Sequence, residues 1–408
     1  MAPNPIAARL LDLTRLVSRM GRGPMTGIDR VEHAYLLHLL DSEVPLFGLV
    51  RTGFGYALLD RVGMAGIARR VRGAEPLGEA DLLARLAHRR NPVRARAEAD
   101  VRRLALARAA RPFLRQMLLR HLPAGTSYLN TGHANLTLRG MRALHSVPRL
   151  RITVLVHDTI PLDHPEYCRP DTVKSFRKKM AAVAAHADLV IHPTHDARKR
   201  TDAQLLRLGR SPAGVVCNIG VPIPRPNTSG LPSGLDVFRP YFVALGTIEP
   251  RKNHALLLDV WDQLAKLGGD QPRLYIIGAR GWSNTVVFSR LDRLETSPLV
   301  QELHGLDDGA VAYLLKGARA LLFPSLAEGF GLPPVEAAAL GTPVISADLP
   351  VIRELLGDNA VYLESTDSYA WMETIVAGVR TPLNANSAGE RFEPPTWAAH
   401  FKVVLIQA

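Results

Sequence analysis

The sequence predicts an α/β protein made of two doubly wound halves that face each other across a cleft. Short apolar runs typical of buried parallel strands alternate along the chain with longer segments that have helical spacing. The chain has 408 residues, which is long for a single core and fits two domains of ~200 residues. A stretch rich in proline, glycine and serine, residues 222–232, separates two series of strands and predicts a linker.

The N-terminal half is predicted to cover residues 1–220. A helix is expected at residues 28–40, and strands are expected at 10–17, 151–156, 189–192 and 214–219. Residues 61–120 are dominated by Ala, Leu and Arg. One apolar stripe can run through Leu104, Ala107, Phe113 and Leu118 or Leu119. The segment therefore predicts one or two amphipathic helices, which pack on the sheet or lie on an anionic membrane surface.

The C-terminal half is predicted to consist of a domain at residues 241–390 and a final helix at 391–408, after a linker at 221–240. Its strands are expected at 241–245, 273–277, 320–323 and 343–346. In doubly wound sheets a ligand binds beyond the carboxyl ends of the strands. We therefore expect the functional site in the cleft between the two halves.

The positive charge of the chain is concentrated in its N-terminal third. The net charge is +12, and residues 1–150 hold 24 Arg, no Lys and 11 acidic residues, whereas the remainder is close to neutral. A one-sided basic field favours a phosphorylated substrate, an acidic lipid surface or nucleic acid, although a solvated arginine-rich face would give the same composition. Nucleic-acid binding is disfavoured, because Phe113 is the single aromatic residue in 61–120.

Two cysteines, Cys168 and Cys217, lack the spacing of a zinc site or a disulfide scaffold, which favours reduced thiols in a cytoplasmic protein. The sequence shows no signal-peptide pattern at its start and no run of about 20 apolar residues. The expected location is the cytoplasm, with peripheral attachment to the inner face of the cytoplasmic membrane as an alternative.

Two adjacent cations, Arg251 and Lys252, stand between the predicted strand at 241–245 and a predicted helix that begins near Asn253. Asn253 is a good N-cap for this helix. Amides at a helix N-terminus, the helix dipole and two positive side chains together make a site for a diphosphate. The spacing does not match a Walker loop, so it does not predict an ATPase. Two solvated cations are the alternative interpretation.

Two glutamates, Glu328 and Glu336, follow the predicted strand at 320–323. Gly329 and Gly331 between them let backbone amides approach a ligand. Two prolines and a later glycine mark the ends of the next helix, with Glu336 in its first turn. Two such carboxylates can accept hydrogen bonds from the hydroxyls of a ribose and of a sugar. They could equally be an acid favoured by the helix dipole and an ordinary loop acid.

The order of these motifs resembles the donor domain of the retaining glycosyltransferases of family 4, which have the GT-B fold of two Rossmann-like domains. The phosphate loop at 246–253, the Glu-x7-Glu motif at 328–336 and the Gly-Thr-Pro-Val-Ile segment at 341–345 follow one another as they do in that family. The resemblance covers residues 241 to about 367 and is looser in the N-terminal half. It implies that residues 241–390 form the nucleotide-sugar donor domain and that residues 1–220 form the acceptor-binding domain.

The resemblance implies a role for each matching residue. Glu336 would hold the ribose of a donor nucleotide, and Glu328 would contact the transferred sugar. Arg251 and Lys252 would neutralise the leaving diphosphate. The sugar-phosphate site and the start of the phosphate loop would be formed by Gly329, Phe330, Gly331, Leu332, Gly246 and Thr247. Many members have an arginine where this chain has Thr247, which leaves more of the charge to Arg251 or to an N-terminal residue.

In the N-terminal half, Gly27 and Arg30 occupy the place of the glycine loop that faces the donor phosphates in this family, although a plain turn would give the same pattern. Arg30 is assigned to the acceptor side as an additional cation. His157 and Asp158 follow a predicted strand, and His157 is expected to contact the sugar or an acceptor hydroxyl, or to move a proton. Asp158 and His133, the latter in a second polar turn, are assigned to the acceptor site.

The function that the resemblance implies is sugar transfer from a nucleoside diphosphate sugar to an acceptor hydroxyl, with retention of configuration and without a metal or other cofactor. GDP-mannose is the preferred donor, ahead of UDP-glucose and dTDP-rhamnose, and the acceptor is expected to be a lipid-linked or growing glycan. The alternatives are another GT-B reaction, such as that of a sugar-nucleotide epimerase or a phosphorylase, and a basic protein that binds a membrane or nucleic acid. The cluster of His192, His195 and Asp196 lacks metal-site spacing and is interpreted as cap and turn residues.

Overall fold

The computed structural model describes residues 6–21, 23, 25–381 and 392–408. Within them, residues 8–216 form one β-sheet with its helices and residues 241–363 form another. The α/β architecture of two sheets that the sequence predicts is confirmed. No helix in this described part of the chain has both the length and the apolar character needed to cross a bilayer.

The first sheet has its strands in the order β4-β3-β2-β1-β5-β6-β7-β8. Their bounds are β1 Ala8–Asp12, β2 Leu46–Arg51, β3 Gly55–Leu59, β4 Ala105–Ala110, β5 Thr126–Asn130, β6 Arg151–Leu155, β7 Leu189–His192 and β8 Ala213–Val216. The β2–β3 and β3–β4 pairs are antiparallel and the other pairs are parallel. The carboxyl ends of β1, β2, β5, β6 and β7 therefore lie at one edge of the sheet.

Helices cover both faces of the first sheet. They are α1 Thr14–Arg19, α2 Gly27–Leu40, α3 Arg61–Val71, α4 Leu82–Ala87, α5 Pro92–Arg103, α6 Leu114–His121, α7 Leu138–His145, α8 Ile160–Asp163, α9 Pro170–His186 and α10 His195–Arg207. Successive side chains of a strand point to opposite faces. Leu11 and Leu155 accordingly enter one hydrophobic core, whereas Leu10 and Val154 enter another. Burial on both faces explains why these strands read as continuous apolar runs.

The second sheet is parallel throughout, with the strand order β11-β10-β9-β12-β13-β14. Its strands are β9 Tyr241–Leu245, β10 Arg273–Ile277, β11 Val300–Leu303, β12 Leu321–Phe323, β13 Val344–Ala347 and β14 Val361–Leu363. Its helices are α11 His254–Leu267, α12 Thr285–Arg293, α13 Asp308–Gly317, α14 Leu332–Ala339, α15 Pro350–Leu356 and α16 Ser368–Arg380. The order reverses between β9 and β12, which is where doubly wound sheets bind ligands.

The last helix, α17 Trp397–Gln407, packs on the N-terminal half. Nδ1–H of His400 donates to the carbonyl oxygen of Asn218 at 3.0 Å, so Nε2 accepts from the Tyr35 hydroxyl at 2.7 Å. The Phe401 ring stacks on His38 with centroids 3.9 Å apart. The two halves are therefore connected by residues 217–240 and again by the return of the chain to the first half.

The predicted strand at 10–17 was wrong in its second part. The strand ends at Asp12, and α1 begins at Thr14. The carboxylate of Asp12 accepts a hydrogen bond from the Thr14 amide at 3.0 Å, which turns the chain after the strand. A short apolar run cannot distinguish a strand from a strand followed by a helical turn.

The predicted amphipathic stripe at 104–119 was also wrong. Residues Ala105–Ala110 form β4, an antiparallel strand at the end of the sheet, and their burial alternates with a period of two. Phe113 lies in a turn and is 57% exposed. Helices do occur on either side, as α5 and α6. The more buried positions of this strand are alanines. Because alanine does not favour strands, the sequence pattern did not predict one here.

Candidate functional site

The loops that follow the strands of the two halves enclose a cavity of about 430 Å³. It is lined by residues predicted for the donor site from both halves. They include Gly27, Gly246, Thr247, Leu332 and Glu336, and Arg30, which was predicted for the acceptor side, lines the cavity as well. The cavity lies beyond the carboxyl ends of β9 and β10, next to the reversal point of the second sheet, as expected for a doubly wound fold.

Two of the predicted glycines are required by close approach or by backbone conformation. Gly246 has φ +141°, and a Cβ there would lie 3.3 Å from Cε of Lys252. A Cβ on Gly27 would lie 3.0 Å from the Cδ1 of Leu332 across the cleft. Gly27 therefore faces the start of α14, and the Lys252 side chain runs beside Gly246, which lines the cavity.

The two predicted cations of the phosphate loop are both paired with Glu328. Lys252 Nζ donates to Glu328 Oε1 at 2.6 Å, and Arg251 Nη1 lies 2.7 Å from Glu328 Oε2. Arg251 also donates to the carbonyl oxygen of Ala327 at 2.7 Å and through Nε to Glu249 Oε1 at 3.0 Å. The first glutamate of the motif and both cations thus form one buried cluster, which we call the ion cluster: Glu249, Arg251, Lys252 and Glu328.

Burial and the paired charges act in opposite directions on the pKa values of this cluster. Burial by itself would raise the pKa of Glu328, but the charges of Arg251 and Lys252 outweigh it and lower the pKa to about 2. Burial also acts to lower the pKa of Arg251, yet Glu328 and Glu249 raise it on balance. For Lys252, burial prevails over Glu328, and its pKa falls below the usual value. Glu328 is therefore ionised at neutral pH.

His157 and Asp158 lie directly against the loop that carries Glu328. A Cβ on Gly329 would be 2.5 Å from the His157 carbonyl oxygen and 2.7 Å from Asp158 Cβ. Glycine at this position thus allows the loop that carries Glu328 to contact the residues that follow β6. Burial raises the pKa of Asp158, and the positive charge of Arg251 acts against that rise. Glu328 and Gly329 belong to one predicted motif and His157 and Asp158 to another. The structure brings these two motifs together.

The hydrogen bonds of His157 fix which ring nitrogen is protonated. Its Nε2 lies 2.7 Å from the Thr131 carbonyl oxygen, which can only accept, so Nε2 carries the proton. Burial lowers the pKa of His157 to about 4. The ring is therefore neutral at neutral pH, and Nδ1 is a hydrogen-bond acceptor.

His133 has a similar environment but a different partner. Its Nε2 lies 2.9 Å from the Leu155 carbonyl oxygen at the end of β6, and its ring centroid is 5.0 Å from that of His157. Burial, followed by the nearby His157, lowers the pKa of His133 well below its usual value. His133 thus holds the loop after β5 against β6, beside His157.

Glu336 is tied to the opposite half of the molecule by Arg30. Arg30 Nη1 donates to Glu336 Oε1 at 2.8 Å, and Nη2 donates to Asp308 Oδ1 at 2.6 Å. Burial raises the pKa of Glu336, and Arg30 opposes the rise. The prediction that Glu336 lies in the first helical turn was wrong: α14 begins at Leu332, so Glu336 is its fifth residue. Arg30, which was predicted for the acceptor side, thus contacts two acids of the C-terminal half.

Asn253 does not cap α11 as predicted. Its φ is +51°, in the left-handed region, and its side chain makes no cap hydrogen bond. Its Nδ2 donates instead to the carbonyl oxygen of Ser365 at 3.0 Å. A short 3-10 turn, Pro250–Lys252, precedes the helix and presents both cations toward Glu328. Asparagine suits this position because it tolerates left-handed backbone better than most residues.

Several residues of the site were missed from the sequence. Arg15 and Arg19 both contact the buried Asp29, at 2.8 and 3.2 Å, and Arg19 lines the cavity. Their i, i+4 spacing would have indicated a shared helix face, but the wrong strand at 10–17 concealed it. Asp308 follows Asp307, whose side chain caps α13. Nothing in that local pattern signals a partner in the other half.

A second cavity of about 850 Å³ adjoins the first at Arg30 and Glu336. It is bounded by α2, by residues 219–224 and by α17, and its lining is mainly apolar. It therefore occupies the hinge side of the cleft, where the chain passes between the halves.

Among the described residues, no group of three His, Cys, Asp or Glu side chains is arranged to hold a metal ion. His195 and Asp196 begin α10, and the Thr194 hydroxyl caps that helix by accepting from the Ala197 amide at 3.0 Å.

Two Rossmann-like domains that meet at their carboxyl edges, with the loop at 246–253 and the Glu-x7-Glu motif following strands of the second sheet, define the GT-B fold. Residues 232–382 match the family model described as glycosyl transferases group 1. The chain therefore contains a group 1 glycosyltransferase domain in its C-terminal half.

The similar proteins include bacterial mannosyltransferases. One is the serotype-specific mannosyltransferase WbdA of Escherichia coli, 32% identical over 226 residues that make up 51% of this chain and 27% of WbdA. Another is the O-antigen chain mannosyltransferase RfbU of Salmonella typhimurium, 29% identical over 57% of this chain and 62% of RfbU. The chain thus spans about a quarter of the length of WbdA. The resemblance to polysaccharide mannosyltransferases that the sequence predicts is confirmed.

A solved structure confirms the GT-B fold along nearly the whole chain. Anabaena HepE, crystallised with UDP and glucose, superposes with a TM-score of 0.58 and 16% identity, over 95% of this chain and 96% of HepE. At this identity the likeness concerns the fold.

Proposed function

We propose that this protein transfers a sugar from a nucleoside diphosphate sugar to an acceptor hydroxyl, with retention of configuration and without a metal or other cofactor. The observation that carries the proposal is the ion cluster, in which Lys252 and Arg251 converge within 2.7 Å of Glu328. The Lys252 side chain runs beside Gly246, which lines the 430 Å³ cavity. Two cations held in place by the fold can stabilise the negative charge that builds up on a leaving diphosphate.

The donor is proposed to bind in the 430 Å³ cavity. Its diphosphate would lie at Gly246 and Thr247, beside the Lys252 side chain, and its ribose hydroxyls would bind the Glu336 carboxylate. Glu336 is already held by Arg30 across the cleft at 2.8 Å. We therefore reassign Arg30 from the acceptor to the donor side, as a residue that positions Glu336. The amides of residues 329–332, including Phe330, would line the sugar–phosphate junction.

Binding of the donor phosphates would exchange the partners of the ion cluster. Glu328 now pairs with both cations, and Glu249 pairs with Arg251. The diphosphate would take over Lys252 and Arg251 and leave Glu328 to accept a hydrogen bond from a hydroxyl of the sugar. The bond between the anomeric carbon and the diphosphate oxygen then breaks. The acceptor oxygen attacks from the same face, and its proton passes to the departing diphosphate.

His157 is proposed to orient a hydroxyl rather than to donate a proton. A neutral ring with its proton on Nε2 offers Nδ1 as an acceptor to a sugar or acceptor hydroxyl. Asp158 and His133, on either side of it, would complete the acceptor end of the cleft.

The proposed sugar is mannose from GDP-mannose, and the proposed acceptor is a hydroxyl of a lipid-linked or growing polysaccharide. The support is that WbdA and RfbU are named as mannosyltransferases, the latter of the O-antigen chain. UDP-glucose is the second donor to test, because HepE has been crystallised with it. The arginine-rich N-terminal half would favour work at an anionic membrane surface on the cytoplasmic side.

The test is a donor panel of GDP, UDP, dTDP and ADP sugars, measured by calorimetry and then by transfer with and without acceptor. We expect one GDP sugar to bind and to be consumed only with an acceptor, and chelator to leave the rate unchanged. Conversion without acceptor would indicate an epimerase instead.

Lys252→Ala should reduce transfer by at least about a hundredfold, because one stabilising charge on the leaving group is lost. Lys266→Ala, an exposed lysine on α11, is the matched control and should behave like the natural chain. Normal turnover in a folded Lys252→Ala protein would contradict the proposed function.

A further inference from the structure

Five arginines surround a separate cavity of about 420 Å³ in the N-terminal half. They are Arg51, Arg111, Arg115, Arg139 and Arg142, and Tyr56 lies among them. None of the described residues that line this cavity is acidic. We call it the arginine pocket.

The fold brings these arginines together from three strand ends. Arg51 ends β2, Arg111 directly follows β4, and Arg139 and Arg142 lie on α7, which follows β5. These strands run in the same direction, so the pocket opens at the same edge of the sheet as His157. The N-terminus of α7 also lines the pocket through Thr137, and its dipole adds to the positive potential.

The positive charge of the pocket is not neutralised within the protein. Across the described part of the chain, none of the five arginines has a carboxylate oxygen within 4.0 Å, whereas Arg70 and Arg102 in the same half each pair with acids. Arg111 donates to a neutral carbonyl oxygen, that of Gly53, at 2.9 Å. Like charges around one cavity repel each other, and an anion bound between them removes that cost.

The buried side chain of Tyr56 lies among the arginines, and its pKa responds to their positive charges. Its side chain is 8% exposed, and its hydroxyl donates to Asn135 Oδ1 at 3.2 Å. Burial raises the pKa of Tyr56, and three of the five arginines act against that rise. A planar guanidinium group binds phosphate oxygens through paired hydrogen bonds. The pocket therefore suits a phosphate group better than an uncharged sugar.

The pocket is connected to the candidate site by a single loop. His133 contacts His157, and Thr137, four residues later, lines the pocket. We infer that the arginine pocket binds a phosphate or diphosphate group of the acceptor, whose sugar then extends along this loop to His157. Calling the ligand an acceptor rests on the proposed function; anion binding in the pocket does not.

Two exposed aromatic residues are close in sequence to residues of the pocket. Phe54 follows Gly53 and is 53% exposed, and Phe113 follows Arg111 by two residues and is 57% exposed. Arginines next to exposed aromatic rings suit a phosphate that carries an apolar chain, while the arginines alone suit the phosphate of a free sugar phosphate.

Anion binding is tested with inorganic pyrophosphate as the probe in calorimetry. The natural chain should bind it at two sites, the phosphate loop and the arginine pocket. Arg111→Gln with Arg142→Gln should weaken one site at least about tenfold, because each lost guanidinium removes charge-assisted hydrogen bonds. Lys252→Ala should weaken the other site. Arg207→Gln, an exposed arginine on α10, is the control. If the double variant titrates like the natural chain, the inference is wrong.

The acceptor role is tested by kinetics with matched acceptors that differ only in a phosphate. The double variant should raise KM for the phosphorylated acceptor at least about tenfold and leave KM for the donor and for the neutral acceptor unchanged. Equal changes for both acceptors would contradict the inference. If the natural chain transfers to neither acceptor, the proposed function fails, and the pyrophosphate titration still decides whether the pocket binds anions.

The source of the phosphate is distinguished by comparing a sugar phosphate with the same sugar on a short alkyl diphosphate. Tighter binding of the alkyl compound, lost in Phe54→Ser with Phe113→Ser, would identify a lipid-borne phosphate. Equal binding of the two compounds would identify a free sugar phosphate, and both results require the arginines.

Discussion

Glu328 is an acid whose charge depends on two buried neighbours. It is 8% exposed, and its oxygens lie 2.6 and 2.7 Å from Lys252 and Arg251. Because the pKa of Glu328 falls from 4.5 to about 2 on folding, the ionised form stabilises the folded chain. This contribution is complete above pH 4.5 and is lost as the pH falls toward 2.

Glu328→Gln should therefore flatten the dependence of the free energy of unfolding on pH below pH 4.5, by about 3 kcal/mol at most. The variant will be less stable at neutral pH as well, because two buried cations lose their counter-charge. Denaturant titrations at several pH values measure the slope. Glu295→Gln, at an exposed position, serves as the control, and an unchanged slope in Glu328→Gln would show that Glu328 is not coupled to folding.

Arg30 and Glu336 are 306 residues apart in the chain and share a hydrogen bond of 2.8 Å. If Arg30 acts by positioning Glu336, the two substitutions remove the same interaction. Glu336→Ala should reduce transfer at least about a hundredfold, and Arg30→Ala should mainly raise KM for the donor. The double variant should lose less than the product of the single losses, because coupled residues are not additive. Strict additivity would mean that Arg30 acts independently of Glu336.

At the scale of single elements, the loop between β12 and α14 is held against the end of β6 by the absence of a side chain at Gly329. Gly329→Ala would place a methyl group 2.5 Å from the His157 carbonyl oxygen, so the loop must move away. We expect transfer to fall by about a hundredfold, because displacement of about 1 Å in a reacting geometry has effects of that size, while the protein stays folded.

The control for this substitution is Gly209→Ala, where an added Cβ meets no atom within 4 Å and φ is +120°. It measures the cost of backbone strain without a clash at the cleft. Hydrogen exchange in a peptide that contains His157 should increase in Gly329→Ala and remain unchanged in Gly209→Ala. Full turnover in Gly329→Ala would show that the contact does not matter for the reaction.

Most parallel strands could be predicted from the sequence because burial on both faces makes them continuous apolar runs. The strand at Tyr241–Leu245 was predicted with its observed ends. The β4 strand could not be recognised, because its alternating positions are alanine and its neighbours are helices. The motif at 328–336 and the cations at 251 and 252 could be singled out because these motifs follow one another along the chain in the order seen in family 4.

The partners within the site could not be predicted, because they join residues that are distant in sequence. Lys252 and Glu328 are 76 residues apart, and the sequence assigned one to the diphosphate and the other to the sugar. Their mutual ion pair follows from the reversal of strand order between β9 and β12, which places both loops side by side. The arginine pocket was visible only as an excess of arginine in residues 1–150.

At the scale of the whole molecule, the chain crosses between the halves and returns. Residues 219–224 and α17 border the same 850 Å³ cavity on the hinge side, and Arg30 and Glu336 close it toward the donor cavity. A change in the angle between the halves would therefore alter both cavities together. Closure around the donor would exclude water from the reacting sugar.

The position of α17 predicts that this helix stabilises the N-terminal half of the molecule. Phe401 is 5% exposed, stacks on His38 and lies with its ring centroid 5.0 Å from that of Tyr35, both on α2 of the N-terminal half. Phe401→Ala should lower the free energy of unfolding by about 3 kcal/mol, as expected for a buried aromatic ring. Ile406→Ala, at a position that is 69% exposed on the same helix, should have little effect.

Hydrogen exchange followed by mass spectrometry can locate this loss of stability. In Phe401→Ala, α2 and β1 should exchange faster, whereas the strands of the second sheet, β9 and β12, should keep their protection, because α17 packs on the first half. If the second sheet loses protection first, α17 must stabilise the C-terminal half in solution instead. If both halves lose protection equally, the molecule unfolds as a single cooperative unit, and the hinge between the halves is then as stable as their cores.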